Sequence, residues 1–191
     1  MIKVLFKFII TIFVLVIIGA FFYIFIYPKI QDKSGLTDSN KEYLTVTRVV
    51  DGDTFKMSNG EKVRLLGIDS PEKYDSDKLD RDSDEKGMDK KTIKRLGELA
   101  SQYVKNLVEG KKVYLVKEPN YQDRDKYGRL LRYVYLDDGT FVNGKIVQDG
   151  YAQVYEAFPV SKSEELRKYQ REARENKKGL WGDVEGLKQF K

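Results

Sequence analysis

Ser58-Asn59-Gly60 lies between two apolar-rich runs, Thr54 to Met57 and Glu61 to Leu66. An Asn-Gly turn between two such runs predicts a β-hairpin, because both turn positions tolerate a positive φ. Ahead of it, Tyr43 to Val50 (Tyr-Leu-Thr-Val-Thr-Arg-Val-Val) alternates and is rich in β-branched residues, so it reads as a strand as well. The folded part of the chain therefore opens as a three-stranded meander, with Gly67 and Pro71 ending its last strand. Lys112 to Val116 and Leu130 to Leu136 supply two more strands, with Tyr121 to Gly128 as a polar loop between them. Between these groups, Ile93, Leu96, Ala100, Tyr103, Val104, Leu107 and Val108 recur at helical spacing from Thr92 onward, and Gly110 supplies the stop. Phe141 to Gln148 reads as a short helix capped by Asn143. Ser161-Lys162-Ser163-Glu164 reads as a capping box opening a last helix to about Lys178, with Trp181 anchoring its end. The class is α+β: a five-stranded Greek-key β-barrel with about three helices.

The ends of the meander carry its chemistry. Asp51 and Asp53 occupy the turn after the first strand, and Asp69 and Glu72 follow the third, which itself carries Arg64. Asp51-Gly52-Asp53 alone is an ordinary solvated turn. A second acidic cluster at the end of the paired strand changes that reading. Oxygen ligands gathered in this way suit a hard divalent cation, and an arginine beside them suits a phosphate.

The chain has 191 residues, room for one globular domain and a little more, with no Cys and no His. A cysteine nucleophile, a Ser-His-Asp triad and a Cys/His zinc site are excluded. A general base must then be a carboxylate, or failing that a Lys or Tyr. The net charge of +5 permits a polyanionic partner without demanding one.

Phe8 to Tyr27 is a run of 20 residues without a charge. A helix of that length spans roughly 30 Å, the thickness of a bilayer's hydrocarbon core. A retained anchor and a cleaved signal peptide both fit. The length of the run, the missing small-x-small cleavage site and the aromatics of Phe21 to Tyr27 favour the anchor. The domain map is thus a transmembrane anchor or signal sequence at 1–27, a polar linker at 28–42, a folded domain at 43–185 and a tail at 186–191. The folded domain is expected outside the cell, held on the membrane by a single pass or secreted after cleavage. Lys73 to Lys91 is charged and Asp-rich but lacks the Gly and Glu positions of a calcium loop, so it reads as a solvated loop that shapes substrate access.

Asp51-Gly52-Asp53-Thr54, then Arg64-Leu65-Leu66-Gly67-Ile68-Asp69-Ser70-Pro71-Glu72, then Asp125-Lys126-Tyr127-Gly128-Arg129 resembles the staphylococcal nuclease (thermonuclease) family in order and spacing. Gly97-Glu98-Leu99-Ala100-Ser101 is similar to that family's first-helix sequence. The resemblance implies an OB-fold and a calcium-dependent nuclease that hydrolyses DNA and RNA without sequence preference, single-stranded or locally open substrate first, leaving 3′-phosphate ends. It implies Asp53, Asp69 and the Ser70 carbonyl as calcium ligands, with Asp51 in an outer shell. Glu72 would orient or deprotonate the attacking water, and Arg64 and Arg129 would clamp the scissile phosphate. Lys126 and Tyr127 would hold the neighbouring phosphate. The sequence departs from the family at Glu156 and Phe158, where tyrosines facing the nucleotide are expected; Tyr155 or Phe158 is left to stack a base. A monomer is expected. The alternative function is a non-catalytic OB-type nucleic-acid-binding module.

Overall fold

The first strand serves two partners, and this closes the sheet. In the computed structural model, which describes residues 42–182, β1 (Tyr43–Val49) shifts register between Val46 and Arg48. Before the shift it pairs with β5 (Lys112–Val116), Tyr43 opposite Tyr114; after it, Arg48 lies opposite Lys56 of β2 (Thr54–Met57). A bulge bends a strand and increases its twist, so one strand can reach both sides of the seam. β2 pairs antiparallel with β3 (Lys62–Leu65), β3 parallel with β6 (Leu130–Leu136), and β6 antiparallel with β5. The order β1-β2-β3-β6-β5 is a closed barrel, the expected five-stranded OB-fold. A two-residue strand β4 (Ile68–Asp69) pairs with β7 (Gln153–Val154) outside it.

Inward positions alternate as the pleat requires. Val46, Phe55, Met57, Val63, Val113 and Val134 are buried to 1% exposure or less. Each such apolar side chain contributes roughly 1.5–3 kcal/mol. The helix α2 (Lys90–Val108) lays Ile93, Ala100, Val104 and Val108 inward at helical spacing. The short helix α3 (Val142–Gln148) adds Val142, Ile146 and Val147 to the same core, and α4 (Ser163–Glu175) adds Leu166.

Three local expectations are corrected. The Asp-rich segment is not a solvated loop throughout: Asp77–Lys86 forms a helix, α1, beyond the three expected. Ser76 caps it, its Oγ accepting from the Leu79 amide at 3.1 Å, and Leu79 is fully buried. One buried leucine and a good cap outweigh a poor helical composition. Asn143 caps nothing; it lies inside α3, fully buried. Its Oδ1 accepts from Val134 N at 2.9 Å, and its Nδ2 donates to Leu66 O (2.9 Å) and Arg132 O (3.3 Å). The capping box is not formed either. The backbone amide and Oγ of Ser161 both donate to Glu118, and the helix begins at Ser163. Trp181 sits in a 3-10 turn (Gly179–Trp181) under the Arg174 guanidinium, 4.4 Å from its ring centroid.

Among the described residues no helix is long and apolar enough to cross a membrane. The expected anchor at 1–27, nearly all of the linker at 28–42 and the tail at 186–191 lie outside those residues.

Candidate active site

The turn after β1 and the exit of β3 share one end of the barrel, and the loop before β6, beside the start of β3, sends the Arg129 side chain toward them. Arg64, on β3, is the hub. Its Nη1 donates to Leu65 O at 3.0 Å and to Ile68 O at 2.9 Å, so the backbone of the following turn fixes the guanidinium. Nη1 lies 3.2 Å from Asp53 Oδ2, and Nη2 3.1 Å from Asp69 Oδ1. Asp53 comes from the other acidic turn, and its Oδ2 also accepts from the Ser70 amide (2.9 Å) and hydroxyl (3.1 Å). The two acidic turns are thereby bonded to each other as well as to Arg64.

Arg129 joins from the far side. Asp125 Oδ1 accepts from the amides of Tyr127 and Arg129, both at 3.0 Å, an Asx-type turn that sets the loop before β6. Asp125 Oδ2 accepts from Arg129 Nε at 2.7 Å, and Arg129 Nη1 donates to Thr54 Oγ1 at 3.1 Å. Thr54 in turn donates to Asp53 Oδ1 at 3.1 Å. Arg129, Thr54, Asp53, Arg64 and Asp69 form one unbroken chain of polar contacts.

Lys78 completes that chain. Its Nζ lies 3.1 Å from Asp69 Oδ1, 3.1 Å from Ser70 O and 2.8 Å from Glu72 Oε1. Sequence reasoning assigned Lys78 no role. The signals were Ser76 as a helix cap and Leu79 as an apolar anchor within a charged run. Thr54, which bridges Arg129 to Asp53, closes the Asp51–Thr54 motif with no chemical signal of its own in the sequence.

The electrostatics follow from burial and pairing. Burial pushes the Asp53 carboxyl up, but Arg64, the Ser70 amide and Lys78 outweigh it and hold it below the ordinary value. Asp69 is raised, by burial first and by the Asp53 charge, against the pull of Lys78 and Arg64. Asp51, whose Oδ1 accepts from the Asp53 amide at 3.1 Å, is pushed up to about 7 by burial and then by the Asp53 charge. Lys78 is held above its ordinary value: burial opposes the charge, and Asp69 and Glu72 together prevail.

Glycines let these parts approach. A β-carbon on Gly52 would lie 2.6 Å from Ser70 Cβ, and one on Gly97 of α2 would lie 2.4 Å from Glu72 O. The second acidic turn is thus pressed between the first and the helix.

The remaining expected residues border this centre. Tyr127 is 70% exposed, with Lys126 Nζ 5.0 Å and Arg129 Cζ 5.5 Å from its ring centroid. Tyr155 is apart from the polar chain. Its amide donates to Gly67 O at 2.9 Å, and its half-exposed ring lies 5.9 Å from that of the exposed Phe158. Glu156 is paired with Arg167, Nη2 to Oε2 at 2.7 Å, so the departure from tyrosine brings no uncompensated negative charge.

The donor set admits a divalent cation. Among the described residues no three acidic side chains form a metal cluster. The Asp69 carboxylate and the Ser70 carbonyl nonetheless already face one cationic centre, the Lys78 ammonium, and Asp53 is bonded to Ser70 beside them. Two carboxylates and a carbonyl, with water, suffice for a hard ion of forgiving coordination.

Residues 62–183 match the family described as staphylococcal nuclease homologue. Over 143 residues the chain is 37% identical to an uncharacterized endonuclease of Escherichia coli O157:H7, covering 73% of this chain and 77% of that protein. It is 30% identical over 154 residues to the thermonuclease of Staphylococcus hyicus, covering 78% and 82% respectively. It is 33% identical over 149 residues to endonuclease YhcR of Bacillus subtilis, covering 74% of this chain but only 12% of that much longer protein.

Proposed function

The chain belongs to the staphylococcal nuclease family, and from that premise we propose that it is a calcium-dependent nuclease hydrolysing DNA and RNA to 3′-phosphate ends. The observation that carries the reading is the chain of contacts joining two arginines to two acidic turns and to Glu72. Such a centre offers positive forks for a phosphate and a carboxylate for a water, and none of its groups reads a base edge.

In the proposed reaction Arg64 and Arg129 hold non-bridging oxygens of the scissile phosphate and stabilise the charge that grows in the five-coordinate transition state. Glu72 orients a water in line with the phosphorus and takes its proton. The water oxygen bonds to phosphorus as the bond to the 5′ oxygen breaks, so the phosphate stays on the 3′ side and the leaving 5′ oxygen takes a proton from solvent water. Asp53, Asp69 and the Ser70 carbonyl would hold calcium, which would supply charge neutralisation for the phosphate. Lys126 and Tyr127 hold the neighbouring phosphate, and Tyr155 with Phe158 offers bases a stacking surface that tolerates any sequence. The apolar run 8–27 holds this domain at the outer face of the membrane.

The test incubates the full chain with single-stranded DNA in calcium and in chelator, followed by end-group analysis. Calcium-dependent digestion to 3′-phosphate ends is expected. Retention of DNA without digestion in calcium would overturn the reading in favour of a binding module.

A further inference from the structure

An ammonium group carries three N–H donors and no acceptor. Lys78 directs its ammonium at three oxygens: one from Asp69, the carbonyl of Ser70 and one from Glu72. Two of these belong to the expected calcium ligands and the third to the expected base. The side chain reaches them from the second residue of α1, a helix capped by Ser76 and fastened by the fully buried Leu79. The ammonium is therefore delivered by a built element, and its side chain is only 27% exposed.

We propose that Lys78 is a tethered competitor of the divalent ion: it occupies the cation position when calcium is scarce and must swing out before calcium binds and Glu72 is freed. The proposal rests on the calcium reading above. Two kinds of argument support it. Electrostatically, the cations paired directly with Asp53, Asp69 and Glu72 among the described residues are Arg64 and Lys78, so Lys78 supplies a charge that a divalent ion would replace. The Lys78 ammonium and the ion also require the same oxygens of Asp69 and Ser70, so the two are alternatives. A tether holds its ligand at an effective concentration on the order of millimolar, so the calcium needed to displace it rises with the ratio of that concentration to the ammonium's own dissociation constant for the site.

The exit route is local. Lys78 is the second residue of α1 and its side chain is partly exposed, so rotation about its own side-chain bonds would free the oxygens while Leu79 stays buried. No helix needs to move.

The test compares calcium binding by titration calorimetry for the full chain, Lys78→Gln and Lys94→Gln. Lys94 pairs with Asp75 in the same insert and touches none of the site oxygens, so its substitution controls for simple loss of a positive charge. Lys78→Gln is expected to bind calcium at least tenfold more tightly than the wild type, and Lys94→Gln to stay within about twofold. Equal affinities for the wild type and Lys78→Gln would overturn the proposal and leave the calcium reading standing. Absence of calcium binding in all three would overturn the calcium reading itself. A second measurement needs no variant: acetylation of wild-type lysines, read by peptide mass spectrometry. Modification of Lys78 relative to Lys94 is expected to rise several-fold on adding calcium, and an unchanged ratio would overturn the proposal. Digestion by the wild type in chelator that is lost in Lys78→Gln would also overturn it, since Lys78 would then replace the ion permanently.

Discussion

Gly97 and Glu72 touch through their backbones: a β-carbon on Gly97 would stand 2.4 Å from the Glu72 carbonyl oxygen and 2.8 Å from the Lys73 amide nitrogen. Both neighbours are main-chain atoms, so neither can move aside by changing a rotamer. The close packing of α2 on this segment fixes where the Glu72 side chain starts from. Gly97→Ala is therefore expected to displace Glu72 rather than merely crowd the core. A misplacement of about 1 Å at a reacting group costs up to roughly a hundredfold in rate, and overpacking costs about 1–3 kcal/mol. DNA cleavage by Gly97→Ala should fall at least tenfold at saturating calcium, while calcium affinity changes much less. Unaltered cleavage would show that Glu72 is not held in place by this contact.

The two arginines are expected to separate when stability and activity are measured together. Arg64 is paired with Asp53 and Asp69 and bonded to two carbonyls. Removing one partner of a buried ionic cluster leaves uncompensated charge, at about 3–5 kcal/mol. Arg129 is more exposed, and its partners Asp125 and Thr54 keep other hydrogen bonds. Arg64→Met should lower the urea midpoint strongly in chelator and partly recover in calcium; Arg129→Met should shift it little. Cleavage should be lost in both. Equal destabilisation by the two substitutions would contradict the hub role of Arg64.

The strand meander and the three motifs were legible because each is local: an Asn-Gly turn, alternation along short strands, and acidic residues at strand ends. The contact between the two acidic turns was also implicit, since antiparallel pairing through β2 brings the ends of β1 and β3 together, whereas Arg129 reaches them by its side chain from the start of β6. Lys78 was not legible. Its role depends on a helix that exists because Leu79 is buried under tertiary contacts, and composition alone argued against that helix. Ser161 was misread for a similar reason: Glu118, 43 residues away, takes the hydrogen bonds that a capping box would have used. Asn143 was assigned to a helix start by its residue type, although its partners lie on β6 and at the end of β3.

Asn143 sets the next expectation. It is fully buried, and its amide satisfies one N–H and two carbonyls on two separate segments, β6 and the end of β3. Asn143→Ala would take the partner from Val134 N and Leu66 O, each at about 1–3 kcal/mol less whatever entering water recovers, while Arg132 O keeps the Leu66 amide at 3.0 Å. A loss of about 3 kcal/mol or more in equilibrium unfolding is expected, with Asn143→Asp also destabilised because it cannot donate. Because Leu66 O lies next to Gly67 and the second acidic turn, cleavage by the folded fraction should fall as well. A loss below 1 kcal/mol would mean that these groups find other partners.

Glu118 makes the pH dependence specific. Its carboxylate accepts from the Tyr133 hydroxyl and from the amide and hydroxyl of Ser161, tying the end of β5 to the start of α4. Burial raises its pKa, but these donors, with the Lys162 charge, prevail and hold it below the ordinary 4.5. A carboxyl lowered in the folded state contributes stability that is complete above its unfolded pKa and lost as pH falls through the folded one. Glu118→Gln keeps the shape but loses the charge and exchanges an acceptor for a donor. At pH 7 it should lower unfolding stability by about 1–2 kcal/mol, the scale of charge-assisted hydrogen bonds at a partly exposed site. The gap to wild type should narrow as pH drops below 4.5, because protonation then removes the same charge from the wild type. Denaturant melts of both proteins across that range decide the matter: a gap that stays constant into strong acid would mean that the Glu118 charge carries none of the stabilisation.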